Sequence, residues 1–422
     1  MEKFNTYTLS NGLRIIHKTS PTNVAYCGIA IDAGTRDEED TEYGIAHFCE
    51  HVMFKGTKKR KAWHILNRME LVGGDLNAYT NKEETVVYAA FLKEHFSRAV
   101  ELISDIVFNS IYPQHEIDKE AEVIIDEIES YNDSPSELIF DRFENMIYNG
   151  HPLGHDILGT PERVRNYTTE DAMRFVHRMY RPQNMVFFVF GKLSFERVVS
   201  TIKKYCGDIM MCEPEDMPDG DTHGDVFNGN KWRQPLPEYV PQRIEENKGT
   251  HQAHVMLGCR AYPSDDKRRT ALYFLNNIIG GPGMNSRLNV ALREHCGLVY
   301  TVESSLTHYT DTGTFGIYFG CDRKDVDRCL QLIRRELDML MSAPMTHRQF
   351  QMALKQIKGQ IGVACDNFEN YALDMAKCFL HYNKFEGAED TFRRLSALTP
   401  EFICQVAKET FAPENMSVII YK

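Results

Sequence analysis

The 422-residue sequence predicts an α+β protein of two homologous domains, each a mainly antiparallel sheet with helices packed on one side. Three observations predict it: an internal repeat, strands near the start and end of each copy, and long amphipathic helices between them. The repeat is clearest late in each copy. Residues 168–190 hold Thr-Thr-Glu, then Tyr-Arg-Pro-Gln-Asn-Met, then the apolar run Val186-Phe187-Phe188-Val189-Phe190. Residues 399–421 hold Thr-Pro-Glu, then Phe-Ala-Pro-Glu-Asn-Met, then Val418-Ile419-Ile420-Tyr421. Positions 168, 182 and 185 recur as 399, 413 and 416, a constant offset of 231. Each copy reads as a helix opened by a Thr cap, a turn built on Pro and Asn, and a buried strand.

Other elements follow the same spacing. Thr85-Val86-Val87-Tyr88-Ala89-Ala90 resembles Thr314-Phe315-Gly316-Ile317-Tyr318-Phe319 at an offset of 229, and both read as strands. Apolar residues at helical spacing predict helices over 94–109, 114–131, 324–342 and 346–362. Residues 213–241 are rich in Pro, Gly and Asp, including Pro-Asp-Gly-Asp at 218–221, which is a linker composition. The expected domains are therefore 1–212 and 242–422, joined by 213–241.

Composition narrows the function. A hydrophobic content of 42% is ordinary for a globular chain. A net charge of −12 gives no basic face for a nucleic-acid partner. The opening residues Met1-Glu2-Lys3-Phe4 hold no apolar run, so no signal peptide is expected. No apolar run is long enough to cross a membrane, so no membrane partner is expected. The 11 cysteines include no C-x-x-C pair, which predicts reduced thiols and a cytoplasmic setting.

The candidate chemistry lies in His47-Phe48-Cys49-Glu50-His51. Residues four apart share a helix face, so His47 and His51 present two imidazoles to one point, half of a tetrahedral zinc site. Glu50 beside them is placed to act as a base toward water. Cys49 falls off that face and reads as packing. The repeat carries this chemistry in one half only, because the positions 230 residues on are Asn277, Gly280 and Gly281. Downstream, Glu120 and Glu127 stand two helical turns apart in a helix whose Val123, Ile124 and Ile128 supply an apolar stripe. His151 and His155 flank Pro152 and Gly154, which exclude a helix, and read as structural.

H-x-x-E-H, followed after 76 residues by Glu127 in Ile-Ile-Asp-Glu-Ile, resembles the insulinase/pitrilysin zinc metallopeptidases, in particular the branch of the mitochondrial processing peptidase and its bacterial relatives. The resemblance extends to Gly73-Gly74-Asp75-Leu76-Asn77-Ala78-Tyr79-Thr80, to 151–160, and to Gly280-Gly281-Pro282-Gly283-Met284-Asn285-Ser286-Arg287-Leu288. It implies a processing-peptidase-like metallohydrolase fold and a zinc endopeptidase acting on unfolded peptides or small proteins. His47, His51 and Glu127 would hold one Zn2+ per chain, Glu50 would be the general base, and Glu120 would orient a ligand or the base. Arg293 and Tyr300 resemble the family's substrate-polarising pair in the second half. Asn77, Ala78 and Tyr79 resemble the edge strand that a peptide joins as an added β-strand, and Gly280, Gly281 and Gly283 resemble a substrate loop. The resemblance also implies a homodimer, with the zinc half of one chain facing the Arg293/Tyr300 half of the other. Relatives of this fold that serve as catalytically idle assembly subunits are the alternative reading.

Overall fold

The computed structural model describes residues 4–209 and 233–422. Most of the predicted linker, 213–232, lies outside the described residues. The strands are β1 (Asn5–Thr8), β2 (Arg14–Lys18), β3 (Val24–Ile31), β4 (Asp75–Thr80), β5 (Thr85–Leu92) and β6 (Met185–Phe190). They continue as β7 (Arg243–Glu246), β8 (Ala253–Ala261), β9 (Val299–His308), β10 (Gly313–Cys321) and β11 (Ser417–Tyr421). The early helices are α1 (Ile45–Val52), α2 (Ala62–Glu70), α3 (Phe96–Asn109), α4 (Gln114–Asn132) and α5 (Pro135–Ile147). Next come α6 (Pro161–Val164), α7 (Thr169–Met179), α8 (Phe195–Cys206), α9 (Arg268–Gly280) and α10 (Val326–Ser342). The last are α11 (His347–Ala364), α12 (Phe368–Tyr382), α13 (Ala388–Ser396) and α14 (Pro400–Phe411).

The chain forms two compact units. The first holds residues 4–128, 155–209 and 365–386, with Arg233 and Gln234. Its sheet runs β1-β2-β6-β3-β5-β4, with only the β2/β6 pair parallel. The strands alternate between two apolar faces, as the two-residue period requires. Ala25, Cys27, Ile29, Phe187 and Val189 join a core with α1, α3, α7 and α8. Val186, Phe188 and Phe190 point the other way, into a second cluster with Ala372, Met375, Ala376 and Phe379 of α12.

The second unit holds residues 129–154, 235–364 and 387–422. Its sheet runs β7-β11-β8-β10-β9, with only β7/β11 parallel. Val255, Leu257, Phe315 and Ile317 pack with α9, α10, α11 and α14. Met256, Tyr318, Ile419 and Tyr421 face Leu138, Ile139, Phe143 and Met146 of α5. The predicted repeat is present in detail: Thr168 caps α7 and Thr399 caps α14 through their side chains, and β6 and β11 follow each.

Both units are thus α+β, with mainly antiparallel sheets. One feature lies beyond the contiguous domains 1–212 and 242–422: α5 belongs to the second unit and α12 to the first. Each covers the second face of its sheet, so the helices are not confined to one side. The cause is local. A run such as Met-Val-Phe-Phe-Val-Phe in β6 is buried at every position, and a strand apolar on both faces needs cover on both.

Candidate metal centre

The core positions α1. Ile45, Ala46, Phe48, Cys49 and Val52 are fully buried in the first unit's core, which leaves His47, Glu50 and His51 on the remaining face. Cys49 donates toward the Ala172 carbonyl at 3.8 Å, and burial raises its thiol well above the usual range, in line with a packing role. The helix begins at Gly44, whose φ of +92° is a left-handed conformation that glycine adopts without strain. A Cβ there would stand 2.7 Å from the Gly159 Cα. Glycine carries no capping side chain, and Glu38 supplies the cap from six residues upstream. Its carboxylate oxygens accept the N–H groups of Gly44 and Ala46, both at 2.9 Å. These are two of the donors that a helix start leaves unpaired. Burial raises the Glu38 carboxyl, while the two N–H bonds act to lower it, and burial wins. Arg178 of α7 pairs with Glu42 and, at 3.1 Å, with Glu39, and so pins the segment before the helix.

Glu127 arrives on α4. Ile117, Ala121, Ile124, Ile125 and Ile128 form the buried stripe of this helix. Val123, expected in the stripe, is instead 52% exposed, because the packed face is set by the 117/121/124/128 row one step around the helix. Glu120 and Glu127 flank that stripe. One ligand atom from each of His47, His51 and Glu127 lies within 4.8 Å of the others, the only such cluster of three among the described residues. His51 Nε2 stands 3.7 Å from a Glu127 oxygen. Two ligands about 2.0–2.1 Å from a tetrahedral ion stand roughly 3.3 Å apart, so small side-chain shifts complete the geometry.

The protonation states suit a cation. Burial, helped by the charge of His51, lowers the His47 pKa to about 3, which keeps its imidazole neutral and able to bind metal. Its Nδ1 is buried without a hydrogen-bond partner among the described residues. A buried polar ring left short of partners costs free energy that coordination can offset. On the far side of His51, Nδ1 meets Glu120 Oε1 at 3.1 Å, and Lys55 Nζ meets Glu120 Oε2 at 2.6 Å. Burial acts to raise the Glu120 carboxyl, but the bonds from His51 and Lys55 outweigh it and hold it below the usual range. A carboxylate on the outer nitrogen fixes the ring's tautomer and aims the inner one. The residues present therefore fit a zinc ion: two imidazole nitrogens, one carboxylate oxygen and an oriented ligand.

Glu50 points to the same region. Its carboxyl is raised, chiefly by burial, against the lowering effects of His51 and of a hydrogen bond from Thr80. Thr80 Oγ1 donates to Glu50 Oε2 at 3.3 Å. Thr80 ends β4, an edge strand of the six-stranded sheet, and Asn77, Ala78 and Tyr79 precede it there. Three residues that the spacing arguments missed thus support the site: Glu38, Lys55 and Thr80. The one signal for Glu38 was indirect, a helix starting at Gly44 with no Ser, Thr, Asp or Asn to cap it.

The remaining predicted residues lie in the second unit. Arg293 sits in a short π-helical turn, Asn289–Glu294, and its guanidinium lies 5.7 Å from the ring centroid of Tyr300. Tyr300 is the second residue of β9 and is 82% exposed, so its side chain is available to another molecule. Gly280 ends α9, and Gly281 and Gly283 follow it. A Cβ at Gly280 would stand 2.6 Å from the backbone nitrogen of Ser304, so this glycine lets α9 approach β9 closely. Each of the histidines at 151 and 155 has a structural contact. His151 Nδ1 accepts the Leu153 N–H at 3.2 Å, and the His155 ring packs at a 45° tilt against Tyr43, with centroids 3.9 Å apart.

Comparison with known proteins agrees with this geometry. The family described as Insulinase (Peptidase family M16) matches residues 14–161, and that described as Peptidase M16 inactive domain matches residues 166–357. The chain is 30% identical over 416 residues to the uncharacterized zinc protease YmxG of Bacillus subtilis, covering 98% of this chain and 97% of that one. It is 29% identical over 420 residues to an uncharacterized zinc protease of Rickettsia bellii, covering 99% and 98%. A crystal structure of a protease from Helicobacter pylori shares the fold, with a TM-score of 0.89 at 22% identity over 100% of this chain and 99% of that one. With family matches across both halves and a full-length relative at 30% identity, the chain belongs to the insulinase peptidases, family M16.

Proposed function

We propose that this peptidase is a zinc-dependent endopeptidase that cuts unfolded peptides or small proteins in a chamber formed by two copies of the chain. The observation that carries the reading is the convergence of His47, His51 and Glu127 within 4.8 Å, beside Glu50 and the edge strand β4. His47, His51 and Glu127 would hold one zinc per chain. When bound there, zinc supplies Lewis acidity toward a peptide carbonyl and lowers the pKa of a water. Glu50 takes the proton from the attacking water and returns it to the leaving amine nitrogen. The burial that raises its carboxyl makes the proton easier to hold between the two events. Glu120 keeps His51 in one tautomer. A peptide aligned on β4 at Asn77, Ala78 and Tyr79 gains main-chain hydrogen bonds that depend little on its sequence.

Arg293 and Tyr300 are proposed to act on substrate held by the other copy, Tyr300 donating to the developing oxyanion and Arg293 to a substrate carbonyl. Gly280, Gly281 and Gly283 would border the same substrate. No helix among the described residues is long and apolar enough to cross a membrane. A cytoplasmic setting is part of the proposal and suits the buried free thiols of Cys27, Cys49, Cys206 and Cys259.

The test combines two inactive variants. Glu50→Gln and Tyr300→Phe chains are each expected to lose most activity on a quenched peptide. Mixed and re-associated, they are expected to regain up to about a quarter of wild-type activity, since one composite site in four is then intact. Mixed dimers that form without regaining activity would refute the shared site.

A further inference from the structure

The strand that offers its edge to a peptide also holds the catalytic carboxylate. Along β4, Leu76 and Ala78 pack against the core that contains α1. Thr80 is two residues further on the same face, and it is 7% exposed. Its hydroxyl is the one side-chain group among the described residues that hydrogen-bonds Glu50, at 3.3 Å. A second hydroxyl lies close: Thr80 Oγ1 and Thr85 Oγ1 are 3.4 Å apart, on paired residues of the β4/β5 ladder.

A proton inventory decides which hydroxyl does what. Each threonine has one O–H to give. The proton of Thr85 is committed to the Ala33 carbonyl at 2.8 Å. Thr85 can therefore only accept from Thr80. The proton of Thr80 has two acceptors at similar distance, a neutral hydroxyl and a carboxylate, and the charged acceptor is the stronger. The Thr80 proton therefore goes to Glu50, and the Thr85 oxygen stays beside Thr80 at 3.4 Å without a proton to share.

Resting on the zinc-peptidase reading, we infer that Thr80 is a positioning residue that fixes the Glu50 carboxylate relative to the peptide-binding edge of β4. The substrate backbone and the base are then held by the same six-residue strand, so a peptide seated on β4 is automatically in register with the group that activates water. Misplacing a catalytic group by about 1 Å is enough to cost roughly a hundredfold in rate.

The experiment compares wild type with Thr80→Val, which keeps shape and removes the hydroxyl, and Thr80→Ser, which restores it. Zinc content, zinc affinity by chelator competition, thermal midpoint, kcat and KM on a quenched peptide, and crystal structures of the zinc-loaded proteins are the readouts. Thr80→Val is expected to lower kcat about ten- to a hundred-fold, with KM and zinc affinity within about twofold of wild type. Its crystal structure is expected to show the Glu50 carboxylate rotated from Thr80. Thr80→Ser is expected to return kcat to within about threefold and Glu50 to its place. Full kcat in Thr80→Val, a loss confined to KM, zinc affinity or thermal midpoint, or an unmoved Glu50 would overturn the inference. If wild type with full zinc cleaves nothing, the peptidase reading fails, and the Glu50 position in the three crystal structures still decides the role of Thr80.

Discussion

Glu120 offers the sharpest test of how the metal centre is held. The residue is 7% exposed, and its carboxylate takes one bond from His51 Nδ1 at 3.1 Å and pairs with Lys55 at 2.6 Å. Glu120→Ala removes the acceptor, frees the His51 ring to turn, and leaves the Lys55 ammonium without its counterion. Loss of a carboxylate behind a ligating histidine lowers metal affinity by about 10- to 100-fold, or roughly 1.4–2.7 kcal/mol. Glu120→Gln separates geometry from charge. Its amide oxygen can still accept from His51, so its loss is expected to be about threefold to tenfold, smaller than that of alanine. Zinc affinity is measured at pH 7.5 by competition with a fluorescent chelator, with circular dichroism as the check on folding. Wild-type affinity in Glu120→Ala, or equal losses in both variants, would refute the orienting role.

Three further outcomes follow from the same geometry. Glu38→Ala leaves the Gly44 and Ala46 N–H groups unpaired at the start of α1 and is expected to cost about 1–2 kcal/mol, read as a lower thermal midpoint and weaker zinc binding, whereas a variant indistinguishable from wild type would contradict the capping role. His381 on α12 lies 3.1 Å from Glu84 and 3.6 Å from Asp32. Burial acts to lower its pKa, but these carboxylates prevail and raise it above 6.5. Its stabilising effect is therefore complete below about pH 6.5 and is lost as pH rises through the raised value. The thermal-midpoint deficit of His381→Leu is expected to be larger at pH 6 than at pH 9, and a deficit that grows with pH would reverse the sign. Zinc binding is expected to raise the thermal midpoint in wild type, by the equivalent of about 4 kcal/mol at a thousandfold excess over Kd. A His47→Ala/His51→Ala variant should show little of this gain, and an equal gain would place the ion elsewhere.

Much of the site was legible because its signals are local. His47 and His51 are one helical turn apart, and α1 delivers them to one face. The repeat at an offset of 231 anticipated α7, β6, α14 and β11 down to their Thr caps. What stayed hidden depends on closeness in space. An amphipathic pattern shows that α12 has an apolar face but not which sheet receives it. The positions of α5 and α12 are thus readable only in the fold. Val123 shows the limit within one helix, since two adjacent rows of α4 carried apolar residues and only packing chose between them. Thr80 and Lys55 act through partners 30 and 65 residues away, which no spacing rule connects.

The central claim is that the ion held by His47, His51 and Glu127 works with Glu50 to cut peptide bonds. It is tested most directly by purifying wild type and Glu50→Gln, bringing both to one zinc per chain, and following a quenched peptide library by fluorescence and mass spectrometry. The account predicts cleavage by wild type, and a loss of at least about a thousandfold in Glu50→Gln with zinc content unchanged. Equal cleavage by both proteins, or none by a fully zinc-loaded wild type across the library, would contradict it.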